Sequence, residues 1–186
     1  MLSRKGLNMS DEFKISLAQL NATVGDLSGN TQKVMEAWEI ARDQRSDLIA
    51  FPELFITGYN PQDLILKTAF QKAATSSIDQ IAKACAQGPA IAIGGPFYDE
   101  NKLYNSYYIL ADGKIQAVIK KHHLPNEEVF DEVRLFSSGN VDGPFQIGEM
   151  RIGSPICEDA WHTDIVETLA ETGAQTLLVP NGSPYY

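Results

Sequence analysis

The sequence predicts an α/β fold in which sheet and helix layers stack as a sandwich. Three observations carry this: apolar strand-like segments alternate with helices of one apolar face, the chain opens on a β-α-β pattern, and two later β-rich runs are joined as a hairpin. At 186 residues the chain suffices for one domain with a substantial core, because folding at that length buries roughly 70% of the extended chain's surface.

Apolar and polar residues alternate in "FKISLAQL" (13–20), the signature of a strand. After the turn-forming "VGDLSGN", a helix from Thr31 is predicted by Val34, Ala37, Trp38 and Ala41, which fall on one face. "DLIAFPEL" (47–54) follows as a short strand ended by Pro52, which completes a unit that favours parallel pairing. A Pro/Gly/Asn-rich loop at 57–63 leads to "SSIDQIAKACAQG", read as a helix capped by serine and stopped by Gly88. Its apolar face includes Cys85, a core residue on this pattern.

"AIAIGG" (90–95) reads as a buried strand, and "LYNSYYILADGKIQAVIKKHHL" as a hairpin turning at Asp112-Gly113. "MRIGSPIC" (150–157) is a strand with Cys157 at its end. A helix follows over "DIVETLAETGA", with Asp164 and Glu167 spaced as a capping box and Gly173 as terminator. "TLLVPNGSP" is the last strand.

The formal charge of -9 disfavours a nucleic-acid partner, whose binding rests on basic surface. No apolar run approaches the roughly 20 residues of a membrane span. Residues 1–12 read as a loose leader without a secretory apolar stretch. Two cysteines without a signal fit a reducing cytoplasm, where a thiol stays free for chemistry. His122 and His123 are adjacent, so on a strand they face opposite ways. No zinc-type ligand spacing is present either, and no metal site is expected.

"GSPICEDAW" (153–161) raises a chemical question, because carboxylates directly after a cysteine disfavour the reactive thiolate. Either Cys157 is an inert core thiol or other residues activate it. Glu53, Lys121 and Cys157 each stand at or just after a strand, and neighbouring strand ends converge at one edge of a sheet. Taken singly, a glutamate after Pro52 and a lysine in "KKHH" read as solvated residues.

Together and in order, "LIAFPELFITGY", "KKHHLPNEEVFDE" and "GSPICEDAW" resemble the three signature segments of the nitrilase, or carbon-nitrogen hydrolase, superfamily. The resemblance implies an α-β-β-α sandwich and a catalytic triad of Glu53, Lys121 and Cys157. "LPN" before "VFDE", "ICEDAW" and the final "NGSPYY" are more narrowly similar to the glutaminase domain of glutamine-dependent NAD synthetases. That implies hydrolysis of glutamine, with ammonia passing to an ATP- and magnesium-using synthetase domain as partner.

It also implies that Tyr59, Phe130, Glu132, Glu158 and Ser183 contact substrate, that the glutaminase domain itself needs no cofactor, and that the protein is a homo-oligomer. For Glu158 and Asp159, bonding of the following loop is the competing reading. On this resemblance residues 13–186 form an incomplete carbon-nitrogen hydrolase domain, truncated at its C-terminal end and without the synthetase domain. Glu127 and Val133 depart from the pattern, where tyrosine and lysine are common. An amidase acting on another substrate and a non-catalytic assembly module are the alternative functions.

Overall fold

The computed structural model describes residues 12–127 and 129–182. β1 (Ile15–Leu17), α1 (Leu27–Asp43), β2 (Leu48–Ala50), α2 (Thr68–Ala84) and β3 (Ala90–Asp99) form two successive β-α-β units. The three strands pair in parallel, as the alternation of apolar strands and one-sided helices predicts. β4 (Lys102–Ala111) and β5 (Lys114–Lys120) extend the sheet antiparallel in the order β1-β2-β3-β4-β5. Asp112 and Gly113 take φ of 54° and 77° at the β4–β5 turn, the left-handed pair that such a tight hairpin needs.

After the short helix α3 (Glu132–Leu135), β6 (Phe145–Ile147) and β7 (Met150–Gly153) pair antiparallel. The helix α4 (Thr163–Glu171) leads to β8 (Thr176–Leu177), which pairs with β7 in parallel to complete a second, three-stranded sheet.

The layers follow from which side chains meet. α1 and α2 press Val34, Trp38, Ala41, Ala74, Ile78 and Ile81 onto Ile49, Phe51, Ile91, Ile93 and Tyr108, one face of the first sheet. The opposite face, with Leu48, Ala50, Ala92, Tyr107 and Ile109, packs on Phe145 and Ile152 from the second sheet and on Ile156 just past β7. Gly153, the neighbour of Ile152 on β7, faces the other way and meets Leu169 of α4. The order is therefore helices, sheet, sheet, helix, the α-β-β-α sandwich expected.

Several boundaries differ from those the sequence suggests. α1 begins at Leu27, capped by Asp26, whose Oδ1 accepts the Gly29 N–H at 2.8 Å. α2 begins at Thr68, eight residues before Ser76, because Ala74 continues the buried face N-terminally and the serines lie inside the helix. The Asp164–Glu167 capping box does not form; His162 occupies the cap of α4 and makes no side-chain cap bond, while Asp164 turns to His123. β7 stops at Gly153, so Cys157 opens a separate 3₁₀ turn, Cys157–Trp161. β8 is two residues long, and beyond it Pro180 O accepts the Cys157 N–H while the Gly182 N–H donates to Glu53. The expected leader lies, apart from Glu12, outside the described residues. Among those described, no helix is long and apolar enough to cross a membrane.

One glycine fixes where β2 delivers its following turn. A Cβ on Gly94 of β3 would lie 2.1 Å from the Leu54 nitrogen and 2.6 Å from the Glu53 carbonyl carbon, so only glycine lets this turn settle on the strand. Gly94→Ala is expected to destabilise the fold by about 1–3 kcal/mol in urea unfolding, the usual cost of overpacking. Exposed Gly143, whose added Cβ would meet only Thr172 Oγ1 at 4.0 Å, serves as control; Gly143→Ala should stay within about 0.5 kcal/mol of the parent.

Candidate active site

The residues past β2, past β5 and past β7 converge, although the strands belong to two sheets. Glu53 lies in the turn beyond β2 and Lys121 one residue beyond β5, where its N–H still donates to Asn105 O at 2.9 Å. Both are buried, Lys121 with 0% exposure, against the solvated reading each has when taken singly. Strand alternation accounts for the lysine pair: Lys120 turns outward to Asp99, and Lys121 turns in.

Lys121 Nζ donates to Glu53 Oε1 at 2.7 Å and to Glu132 Oε1 at 2.9 Å. Asn105 Nδ2 bridges the same carboxylates, at 2.8 Å from Glu53 Oε1 and 3.3 Å from Glu132 Oε2. The Tyr59 hydroxyl donates to Glu132 Oε1 at 3.2 Å, and the Gly182 N–H to Glu53 Oε2 at 2.9 Å. Burial lowers the proton affinity of Lys121, but the two carboxylates outweigh it and hold the ammonium above its ordinary pKa. Burial and the nearby Glu53 raise the pKa of Glu132, against the pull of Lys121 and Asn105.

Cys157 sits at φ +48°, a left-handed conformation rare outside glycine, and its N–H donates to Pro180 O at 3.0 Å. The thiol faces Glu53 and the Gly182 N–H. Burial first, then the Glu53 charge, pushes its pKa up to about 11, partly opposed by Lys121 and by the Gly182 N–H. Cys157 is thus a neutral thiol beside a carboxylate that can take its proton. Glu132, with its oxygens on Lys121, Asn105 and Tyr59, holds the lysine. Cys85 is buried in the helix-facing core, with its pKa pushed up to about 12 by burial and Glu39, an inert thiol.

The two acids after Cys157 part company. Asp159 is buried and accepts the backbone N–H groups of Ile156, His122 and His123, at 3.1, 3.2 and 2.7 Å, so it ties the cysteine turn to the lysine segment. Glu158 reaches a cavity of about 560 Å³ that Phe130, Glu127, His123 and His162 also line. Tyr59 lies between the buried cluster and this cavity, its ring 6.4 Å from Phe130. Ser183 lies outside the described residues.

Asn105 and Gly182 go unnoticed in the sequence. The signal for Asn105 is an amide inside an otherwise aromatic and apolar strand, "LYNSYY". For Gly182 there is only a turn dipeptide; an added Cβ would come within 2.7 Å of the Tyr59 ring and 3.0 Å of Glu53 Oε2.

A buried acid-lysine-acid cluster facing a thiol across the ends of two sheets matches the three segments singled out in the sequence, and the carbon-nitrogen hydrolase family model matches residues 14–186. The chain belongs to the carbon-nitrogen hydrolase family. It is 50% identical over 177 residues to the glutamine-dependent NAD(+) synthetase of Rhodobacter capsulatus, covering 95% of this chain and 32% of that protein. The solved structure of glutamine-dependent NAD+ synthetase from Acinetobacter baumannii is similar at a TM-score of 0.89 and 36% identity, covering 94% of this chain and 33% of that one. An amidase from Nesterenkonia sp. shares the fold at a TM-score of 0.79 and 24% identity, covering 91% of this chain and 64% of that one. The chain therefore spans about a third of the length of the synthetases it matches.

Two outcomes follow from the hydrolase geometry. Alkylation of Cys157 by a neutral reagent should rise about tenfold per pH unit between roughly pH 7 and 10, as thiolate reactivity requires. It should level off only near the thiol's pKa of about 11. Lys121→Met, which removes the charge that lowers this pKa, should slow it further; a plateau near neutral pH would contradict a neutral resting thiol. Asn105→Leu keeps volume but withdraws N–H donors from two buried carboxylates, and urea unfolding should register a loss of about 1–3 kcal/mol per orphaned group.

Proposed function

We propose that the chain is a glutamine amidohydrolase unit that releases ammonia through a cysteine thioester, for ATP-dependent NAD synthesis from deamido-NAD in the longer protein. The observation that carries this reading is the 2.7 Å contact of buried Lys121 with Glu53 beside the Cys157 thiol. The similarity to glutamine-dependent NAD(+) synthetases supports the choice of substrate.

In the proposed reaction, Cys157 Sγ attacks the side-chain amide carbon as its proton passes to Glu53, the carboxylate that bears most strongly on the thiol. The carbonyl oxygen becomes an oxyanion beside Lys121 Nζ and the backbone N–H of Glu158. Collapse breaks the C–N bond, and Glu53 returns the proton to the departing ammonia. Water, deprotonated by Glu53, then attacks the thioester; the C–S bond breaks and glutamate leaves with the thiol restored. Glu158, which lines the cavity beside His162 while Asp159 holds the turn, accepts the α-ammonium of glutamine. Tyr59 and Phe130 wall the substrate, and Ser183 hydrogen-bonds it.

The steps proposed for this unit need only protein groups and water, with ATP and magnesium assigned to the synthetase part that receives the ammonia. Two free thiols, one of them working, fit a cytoplasmic setting. Trp161, exposed to 83% next to the cavity wall, supports burial of this face in a homo-oligomer.

Ammonia release from glutamine should vanish in Cys157→Ala, nearly vanish in Lys121→Ala, and fall by orders of magnitude in Glu53→Gln. Release by Cys157→Ala at the parental rate would overturn the reading. Faster hydrolysis of simple amides than of glutamine would keep the chemistry and replace the substrate.

A further inference from the structure

All three histidines of the chain gather in one place, His123 and His162 on the cavity wall and His122 beside His123, although His122 and His123 follow β5 and His162 precedes α4. The expectation that His122 and His123 face opposite ways fails because the pairing with β4 ends at Lys121, whose N–H still donates to Asn105 O, and strand alternation ends with it. Their rings meet edge-on at 4.7 Å, and His123 stacks on His162 at 3.7 Å. One ligand atom each from His122, His123 and Asp164 lie within 4.8 Å of one another.

Hydrogen bonds already hold these side chains in place. His122 Nδ1 stands 2.7 Å from the Gly139 carbonyl oxygen. A carbonyl only accepts, so Nδ1 carries the proton and Nε2 holds the lone pair. Donation of the non-ligating ring N–H to a backbone carbonyl is how metal-binding histidines are usually oriented. His123 Nε2 lies 3.1 Å from Asp164 Oδ2, and Asp159 fixes the backbone of both histidines through their N–H groups.

Two imidazoles and a carboxylate, with a further position open to water, form a donor set suited to zinc and similar divalent ions. Tetrahedral zinc with bonds of about 2.0–2.2 Å needs donors about 3.3 Å apart. The side chains must therefore close by an ångström or so, which their partial or full exposure permits.

We propose that His122, His123 and Asp164 bind a zinc-class divalent cation, which clips the segment carrying Lys121 to the helix that follows Cys157. The test is calorimetric titration of tag-free, chelator-treated protein with Zn²⁺, paired with thermal melts, for the parent, Cys157→Ser, Asp164→Asn and His122→Ala. The expected result is one ion per chain and a raised Tm in the parent and in Cys157→Ser. Asp164→Asn and His122→Ala should each weaken binding by roughly tenfold or more. Circular dichroism of the metal-free variants checks that they fold. Substoichiometric uptake by the parent, undiminished binding in Asp164→Asn and His122→Ala, or loss of binding in Cys157→Ser would each overturn the site, the last by moving the ion to the cysteine.

Discussion

A lysine ammonium with no access to water must be neutralised where it stands, and Lys121 is held by two carboxylates that are themselves buried. Opening such a group typically costs about 3–5 kcal/mol, because the charge left behind has no partner. The constraint reaches across the molecule. It joins the turn after β2, the residue after β5 and the first residue of α3, while Asn105 of β4 braces both acids. The strand ends thus share one electrostatic centre, and the left-handed Cys157 turn is presented to that centre through the Pro180 and Gly182 backbone.

This centre also bears on how two acids can directly follow Cys157. Asp159 is occupied by three backbone N–H groups, and Glu158 points to the cavity, so neither acts as the partner of the sulfur. The charges that act on the thiol are Glu53 and Lys121, in opposite directions. A neutral thiol beside a base suits a reaction in which proton transfer accompanies attack, because no bare thiolate has to be maintained between turnovers.

Local patterns made most of the frame legible. Alternation and one-sided apolarity gave the β-α-β start, and Asp112-Gly113 gave the hairpin; the motif resemblance supplied the order of layers. What failed needed information from across the fold. Ser76 looks like a cap, yet buried Ala74 continues the helix upstream of it. The irregular stretch 154–156, with Pro155 at its middle, separates Cys157 from its strand, and no periodicity reports that. Lys121 and Glu53 look solvated one at a time; only their pairing explains burial. Asp159 and Glu158 are equivalent in sequence and are distinguished by the His122 and His123 backbone. Strand geometry stops at Lys121, so it does not set the directions of His122 and His123.

The account's central claim is that Cys157, and not Cys85, is the nucleophile of a formed glutamine site. The most direct measurement is intact-mass spectrometry after exposure to an electrophilic glutamine mimic, with glutamine as competitor and peptide mapping of both cysteines. The account predicts one adduct, confined to Cys157 and suppressed by glutamine, with Cys85 untouched in the core. Equal labelling of the two thiols, or no adduct on Cys157, would contradict it.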